Sequence, residues 1–294
     1  RVVRAESLRP KVRLYQTPAS RKSRTPLRCD GMDVVSAIRI AAAIAALAAV
    51  APLARAGDVT ALISYTSSVS SDANGPLDLY AEVNYDDARA NAPIAVVMHG
   101  FSPATGNFAN VRANAQRLRD AGFFAVSVAL RGRDGSDGTR DSGGVEVHDL
   151  WDAAEHVKTA FAAFVDPANV HVTGYSGGGG NVMSALVRFP DSFRVGSAFF
   201  GMSDYGYDPA TSWWFAKAGA SHKAILLADV GDPTLGDPVV TDRYHARAAR
   251  LGARNNPVSE IHLFVNHDEV VCPPVHDERY LALAADATLA ADAA

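Results

Sequence analysis

Three features of the sequence predict an α/β protein with a mostly parallel sheet flanked by helices on both faces. Short apolar runs that end in glycine turns alternate with stretches of helical spacing, and the connections between them are short. From Gly57 onward no internal repeat or low-complexity linker breaks the pattern, so residues 57–294 read as one domain of about 240 residues.

The elements follow in chain order. "PIAVVMHGF" (93–101) is an apolar run closed by a glycine turn, which suits a strand buried on both faces. "NVRANAQRLRDAG" (110–122) has helical spacing and stops at Gly122, and "FFAVSVALRG" (123–132) is a second buried strand. "RGRDGSDGTRDSGG" (131–144) is expected to be a mobile loop near the site, its alternating charges mostly facing solvent and without the spacing of a calcium loop. "VEVHDLWDAAEHVKTAFAAF" (145–164) reads as a long amphipathic helix, "NVHVTGYS" (169–176) as a third strand, "NVMSALVRFP" (181–190) as a helix ended by Pro190, and "FRVGSAFFG" (193–201) as a fourth strand. Active sites in such sheets lie at the carboxyl ends of the strands, and Ser176 falls at one of them.

The first 56 residues are of a different kind. Residues 1–31 carry nine Lys and Arg against Glu6 and Asp30, a composition that cannot build a core and is expected to be disordered. From Met32, "VVSAIRIAAAIAALAAVAPLARA" has the apolar middle and the small-residue "ARA" (54–56) of a secretory signal peptide cleaved before Gly57. That predicts a secreted or periplasmic protein with no stable membrane anchor after cleavage. Beyond residue 56 there remain 17 Lys and Arg against 29 Asp and Glu, a balance that argues against a nucleic-acid partner. Of the two cysteines, Cys29 precedes the cleavage site, which leaves Cys272 as a packed small residue. With no CxxC and no HExxH, neither a metal nor a cofactor is expected.

Gly174-Tyr175-Ser176-Gly177-Gly178 is a GxSxG pattern set between a predicted strand and a predicted helix. A tight turn there crowds its flanks, so glycine two residues either side lets the backbone close and pushes the serine outward. The helix N-terminus favours negative charge developing nearby. A phosphate-binding loop would need a GK[ST] ending, which is absent. The N–H of Gly177 and that of Phe101, in the "HGF" turn at 99–101, are the candidate oxyanion donors, with His99 a supporting residue rather than the general base.

These motifs resemble the α/β-hydrolase fold. Over residues 93–283 the chain is most similar to the catalytic domain of prolyl oligopeptidase-like serine hydrolases, through "HGF", "GYSGG", "RFPDSFRVGSAFFGMSDY" (188–205), "DRYHARA" (242–248) and "HDEVVCPP" (267–274). The four glycines after Ser176 depart from the usual form and resemble secreted cutinase-like polyester hydrolases. The resemblance implies that Asp268, with Val271 and Pro273 behind it, is the triad acid, and that a base follows about thirty residues later.

Two assignments of acid and base stay open. With Asp268 as acid the base would lie past Ala294, since His276 is too close in sequence and is expected to start the next helix; His267 is then the histidine at hand, but a chain neighbour of Asp268 cannot pair with it in the usual geometry. Alternatively "KAILLADVG" (223–231) is the acid-bearing strand, Asp232 or Asp237 the acid, and His267, ending the strand "EIHLFVNH" (260–267), the base. Tyr205, Trp213 and Trp214 are candidates to line an acyl pocket, against packing of a small cap. The expected reaction is that of a secreted serine esterase on small-molecule or polymeric esters through an acyl-enzyme. A peptidase is the second reading, made less favoured by the roughly 35 residues between Gly57 and the first core strand, too few for the β-propeller that precedes the catalytic domain in that family. A relative impaired by a missing base is the third.

Overall fold

The computed structural model describes residues 12–17, 57–69, 76–101, 105–205, 215, 218–256, 259–266 and 272–285. The strands among them are β1 (Val12–Thr17), β2 (Asp58–Thr66), β3 (Asp78–Asp86), β4 (Ala92–Met98), β5 (Phe124–Ala129), β6 (Val165–Tyr175), β7 (Val195–Phe199) and β8 (Glu260–Asn266). The helices are α1 (Asn107–Asp120), α2 (Val147–Ala160), α3 (Gly177–Arg188), α4 (Ala220–Asp229), α5 (Pro238–Ala246) and α6 (Val275–Ala285). The strands form one sheet in the order β1-β8-β7-β6-β4-β5-β3-β2, antiparallel at β2–β3 and β3–β5 and parallel elsewhere.

The strands expected at 93–101, 123–132, 169–176, 193–201 and 260–267 are all present as β4 to β8, because each is an apolar run that a two-faced sheet can bury. On one face Val97 of β4 and Ala125 of β5 pack with Val111 and Ala115 of α1. On the other, Ile94, Val96, Met98, Val126 and Val172 pack with Leu150 and Ala153 of α2 and Val182 and Leu186 of α3. Helices thus cover both faces, as expected. The period-2 alternation of side chains along each strand is what splits the core into these two layers.

Four features differ from the sequence reading. The antiparallel pair β2–β3 was not expected; its partly exposed β2 is too polar to stand out as a core strand. The helix expected to run to 164 ends at Ala160, and Phe161 and Phe164 turn back to pack on Tyr85, with ring centroids 5.8 and 5.2 Å away. "KAILLADVG" is the helix α4 and its cap, not a strand. β7 pairs directly with β8, so no slot exists between them, and only Leu226 of α4 is buried. A short apolar run reads equally as buried strand or helix, and the sheet decides. Finally, Val12–Thr17, in the segment expected to be disordered, form a strand parallel to β8, Val12 opposite Ile261 and Thr17 opposite Asn266. Strand pairing is made by the backbone, and the basic composition around it does not forbid it.

The chain passes from β4 to β5 through α1 on one side, then from β5 to β6 through α2 on the other side of β4. The order therefore reverses between β4 and β6, and a crevice opens at their carboxyl ends. β4 ends in His99–Phe101 and β6 ends in Ser176.

Candidate active site

Ser176 stands between Tyr175, the last residue of β6, and Gly177, the first of α3, with φ 54° and ψ −122°. That conformation is strained for a residue with a Cβ, and it turns the half-buried side chain out of the sheet. Two backbone bonds hold the turn: Ser176 N–H donates to Phe199 O at 2.8 Å, and Gly180 N–H to Ser176 O at 3.1 Å.

The glycines around it are required by close approach. A Cβ at Gly174 would stand 2.6 Å from Gly178 O, and one at Gly179 would stand 2.9 Å from Gly201 Cα and 3.0 Å from Phe199 O. The first turn of α3 is thus wedged between the ends of β4 and β7, with backbone on every side. The four-glycine run that looked like a polyester-hydrolase feature has this packing explanation.

Gly177 lies against the other predicted donor: a Cβ there would be 2.8 Å from Phe101 N. Phe101 and Gly177 also share the wall of a cavity of about 10 Å³ with His99, Arg133, Glu146, Asn181 and Tyr205. Phe101 N therefore lies beside Gly177, the residue that follows Ser176, where both were expected.

His99 is buried, and its Nδ1 lies 2.8 Å from Gly100 O. Burial, partly countered by that bond, lowers its pKa to about 4, so it is neutral at pH 7 and supports the turn. Beneath it, Arg133 Nη1 donates to Glu146 Oε2 at 2.8 Å, and Gly143 N–H donates to Glu146 Oε1 at 2.8 Å. Burial pushes the Glu146 carboxyl up, but the charge of Arg133 and these bonds outweigh it and bring the pKa to about 2.

The loop expected to be mobile and solvent-facing is the support of the site. Arg131, Arg133 and Ser142 are buried, and Arg131 meets Asp149 through its backbone N–H at 2.8 Å and its Nη2 at 2.6 Å. Asp134 reaches across to α1, whose N-terminus has no cap of its own, and accepts from Gly106 N–H at 2.6 Å and Asn107 N–H at 2.9 Å. Only the tip, including Gly135 and Asp137–Thr139, is exposed.

The remaining predicted residues fall as follows. Cys272 is buried, as a packed residue should be, yet its Sγ lies 3.9 Å from Ser176 Oγ, a proximity the sequence reading missed. No motif marks it; only its place a few residues past a strand end hinted at the site. His267, Asp268, Val271, Trp213 and Trp214 lie outside the described residues. Asp237 is not at the end of a strand: it is exposed and caps α5, accepting from Val239 N–H at 2.8 Å. Asp232 does the same for a 3-10 turn through Thr234 N–H. Both play the turn-forming role that Asp before Pro favours, so the alternative triad loses both its acid strand and a placed acid. His276 is the second residue of α6, as expected, and is buried. Tyr205 is fully buried and packs with Met202, Phe215, Leu226 and Tyr244 in a small second core, so it supports the pocket wall by packing.

The sheet order and the strand–Ser176–helix turn are those of the α/β-hydrolase fold. Residues 109–224 match the family model described as the prolyl oligopeptidase family. Among solved structures, a puromycin hydrolase is 20% identical with a TM-score of 0.63, over 81% of this chain and 35% of that one. Prolyl oligopeptidase B from Galerina marginata is 16% identical with a TM-score of 0.58, over 80% and 32%. An acylaminoacyl peptidase from Pyrococcus horikoshii is 17% identical with a TM-score of 0.57, over 84% and 37%. The chain spans about a third of the length of these structures, and at such identity the likeness shows the fold. No curated protein sequence matches it.

Proposed function

We propose that the chain is a serine peptidase of prolyl oligopeptidase type that hydrolyses short peptides and aminoacyl amides. The observation that carries the reading is Ser176 in its strained elbow, with the amides of Phe101 and Gly177 together beside it. The family match over residues 109–224 favours amide over ester substrates. Ser176 Oγ attacks the carbonyl carbon as its proton passes to a base, the oxyanion is held by the two N–H groups, the amine leaves with a proton, and water releases the acyl group. The base is proposed to come from residues 267–271. That segment is bounded by Asn266 at the carboxyl end of β8 and by Cys272, whose Sγ touches Ser176. His267 is its imidazole; Asp268, its chain neighbour, does not orient it, and the acid is another carboxylate.

The test is a paired assay of peptidyl p-nitroanilides and p-nitrophenyl esters, with fluorophosphonate labelling of Ser176. Anilide turnover is expected, falling by roughly 10⁴-fold or more in Ser176→Ala and strongly in His267→Ala. Turnover of esters alone would favour the esterase. Labelling without turnover of either would favour the impaired relative.

Export is part of the proposal, supported by the apolar stretch after Met32 and "ARA" at 54–56. N-terminal sequencing of protein recovered outside the cytoplasm should begin at Gly57; an intact N-terminus there would overturn it.

A further inference from the structure

A second cavity, of about 450 Å³, opens away from the elbow between the 141–148 segment, Arg188 and the ends of α4 and α5. Arg188 is the last of the 12 residues of α3, which begins directly after Ser176. At 1.5 Å per residue the cavity is about 18 Å along the helix from the nucleophile.

Its walls do not balance in charge. Asp141 is paired with Arg247, and Asp229 accepts from Arg140 Nε at 2.8 Å, Arg140 Nη2 at 3.0 Å and Ser142 Oγ at 2.5 Å. Both carboxylates are thus already engaged. Arg188, by contrast, donates to two neutral carbonyls, Gly144 O at 2.5 Å and Ala246 O at 2.9 Å. Arg243 donates to Val230 O at 3.3 Å, again neutral. Among the described residues neither forms an ion pair with a carboxylate, so two guanidinium charges face the cavity beside the already paired Arg247.

The local field reflects this excess. Burial and then the charge of Arg247 lower the pKa of Arg188, and burial and then the charge of Arg188 lower that of His148, on the same wall. His148 is held edge-on to Phe189, with ring centroids 5.0 Å apart, and its neutral ring can exchange a hydrogen bond with a ligand. Guanidinium forks match the paired oxygens of phosphate and carboxylate, and the volume is within the range of small-molecule sites.

We propose that this cavity is a binding site for a small anion with several oxygens, a phosphate or a polycarboxylate, clamped between Arg188 and Arg243 and separate from the Ser176 site. The full-length chain is titrated with inorganic phosphate and with citrate by calorimetry and thermal unfolding, with sodium chloride at matched ionic strength alongside. Saturable binding and a raised Tm are expected with one or both anions and not with chloride. Arg243→Gln should weaken binding at least tenfold, while Arg243→Lys recovers part of it; Arg243 is exposed, so its fold is expected to survive. Arg188→Gln, checked by circular dichroism, should abolish binding. Binding of phosphate alone or of citrate alone identifies the ligand class. Equal effects of chloride, no saturable binding, or unchanged affinity in Arg243→Gln overturns the proposal.

Discussion

The elbow at 174–180 and the loop at 131–149 line the same small cavity and are built on opposite principles. The elbow is backbone packed on backbone, with glycine wherever a Cβ would collide. The loop is charge packed on charge, with Arg131 on Asp149, Arg133 on Glu146 and Asp134 on the start of α1. The first tolerates no added atom; the second tolerates no lost partner. An oxyanion site needs both: amides aimed by a rigid turn, and a floor that keeps that turn from relaxing into the space beneath.

The comparison can be tested by breaking each side in turn. The largest effect on stability is expected from Arg133→Met, which leaves Glu146 buried without its cation and should cost about 3–5 kcal/mol in urea unfolding. If the loop were a solvated surface feature the change would be near zero. The Arg133→Met/Glu146→Leu pair should recover much of the loss, since it removes both charges together.

Acid should dissect the same floor. The Glu146 pKa of about 2 lies below the ordinary 4.5, so its contribution is full above pH 4.5 and is lost as pH falls towards 2. The His99 pKa of about 4 lies below the ordinary 6.5, so its contribution is full above pH 6.5 and is lost as pH falls towards 4. Each is worth about 3 kcal/mol. Unfolding midpoints should therefore drop in two overlapping windows, and His99→Gln should shrink the upper one, to which His148 and His171 also contribute, while leaving the lower.

On the elbow side, Gly179→Ala forces a methyl against Gly201 Cα and Phe199 O and should cost about 1–3 kcal/mol. Its larger consequence should be slower labelling of Ser176, because the turn must shift. A variant that unfolds at the wild-type midpoint and labels at the wild-type rate would show that the wedge is looser than described. The smallest effect is expected from Asp134→Ala, which removes the borrowed cap of α1 for about 1 kcal/mol and leaves the elbow untouched.

The same contrast explains what was legible in the sequence. The elbow is local: Gly174 to Gly178 spans five residues, and strand, turn and helix are read from their order alone. β4 to β8 were visible for the same reason, as apolar runs whose burial needs no particular partner. The loop was misread because its partners are distant. Arg140 meets Asp229 and Arg247 meets Asp141, 89 and 106 residues apart, and a run of Gly, Asp and Arg looks alike whether solvated or paired. The α4 stretch failed differently, since an apolar run of five residues carries no clear period and the missing slot between β7 and β8 is a property of the whole sheet. Cys272 beside Ser176 was invisible because 96 residues separate them.

The pairing of Val12–Thr17 with β8 would tie any cleavage before Gly57 to the behaviour of the chain in solution. Those six residues close one rim of the sheet. Cleavage before Gly57 would free them from the rest of the chain and leave the outer backbone groups of Glu260–Asn266 open to any strand that fits. The trimmed protein would then be the adhesive form and the untrimmed precursor the guarded one. Size-exclusion chromatography of the two at equal concentration should show self-association only after trimming, relieved by adding a peptide of residues 12–17.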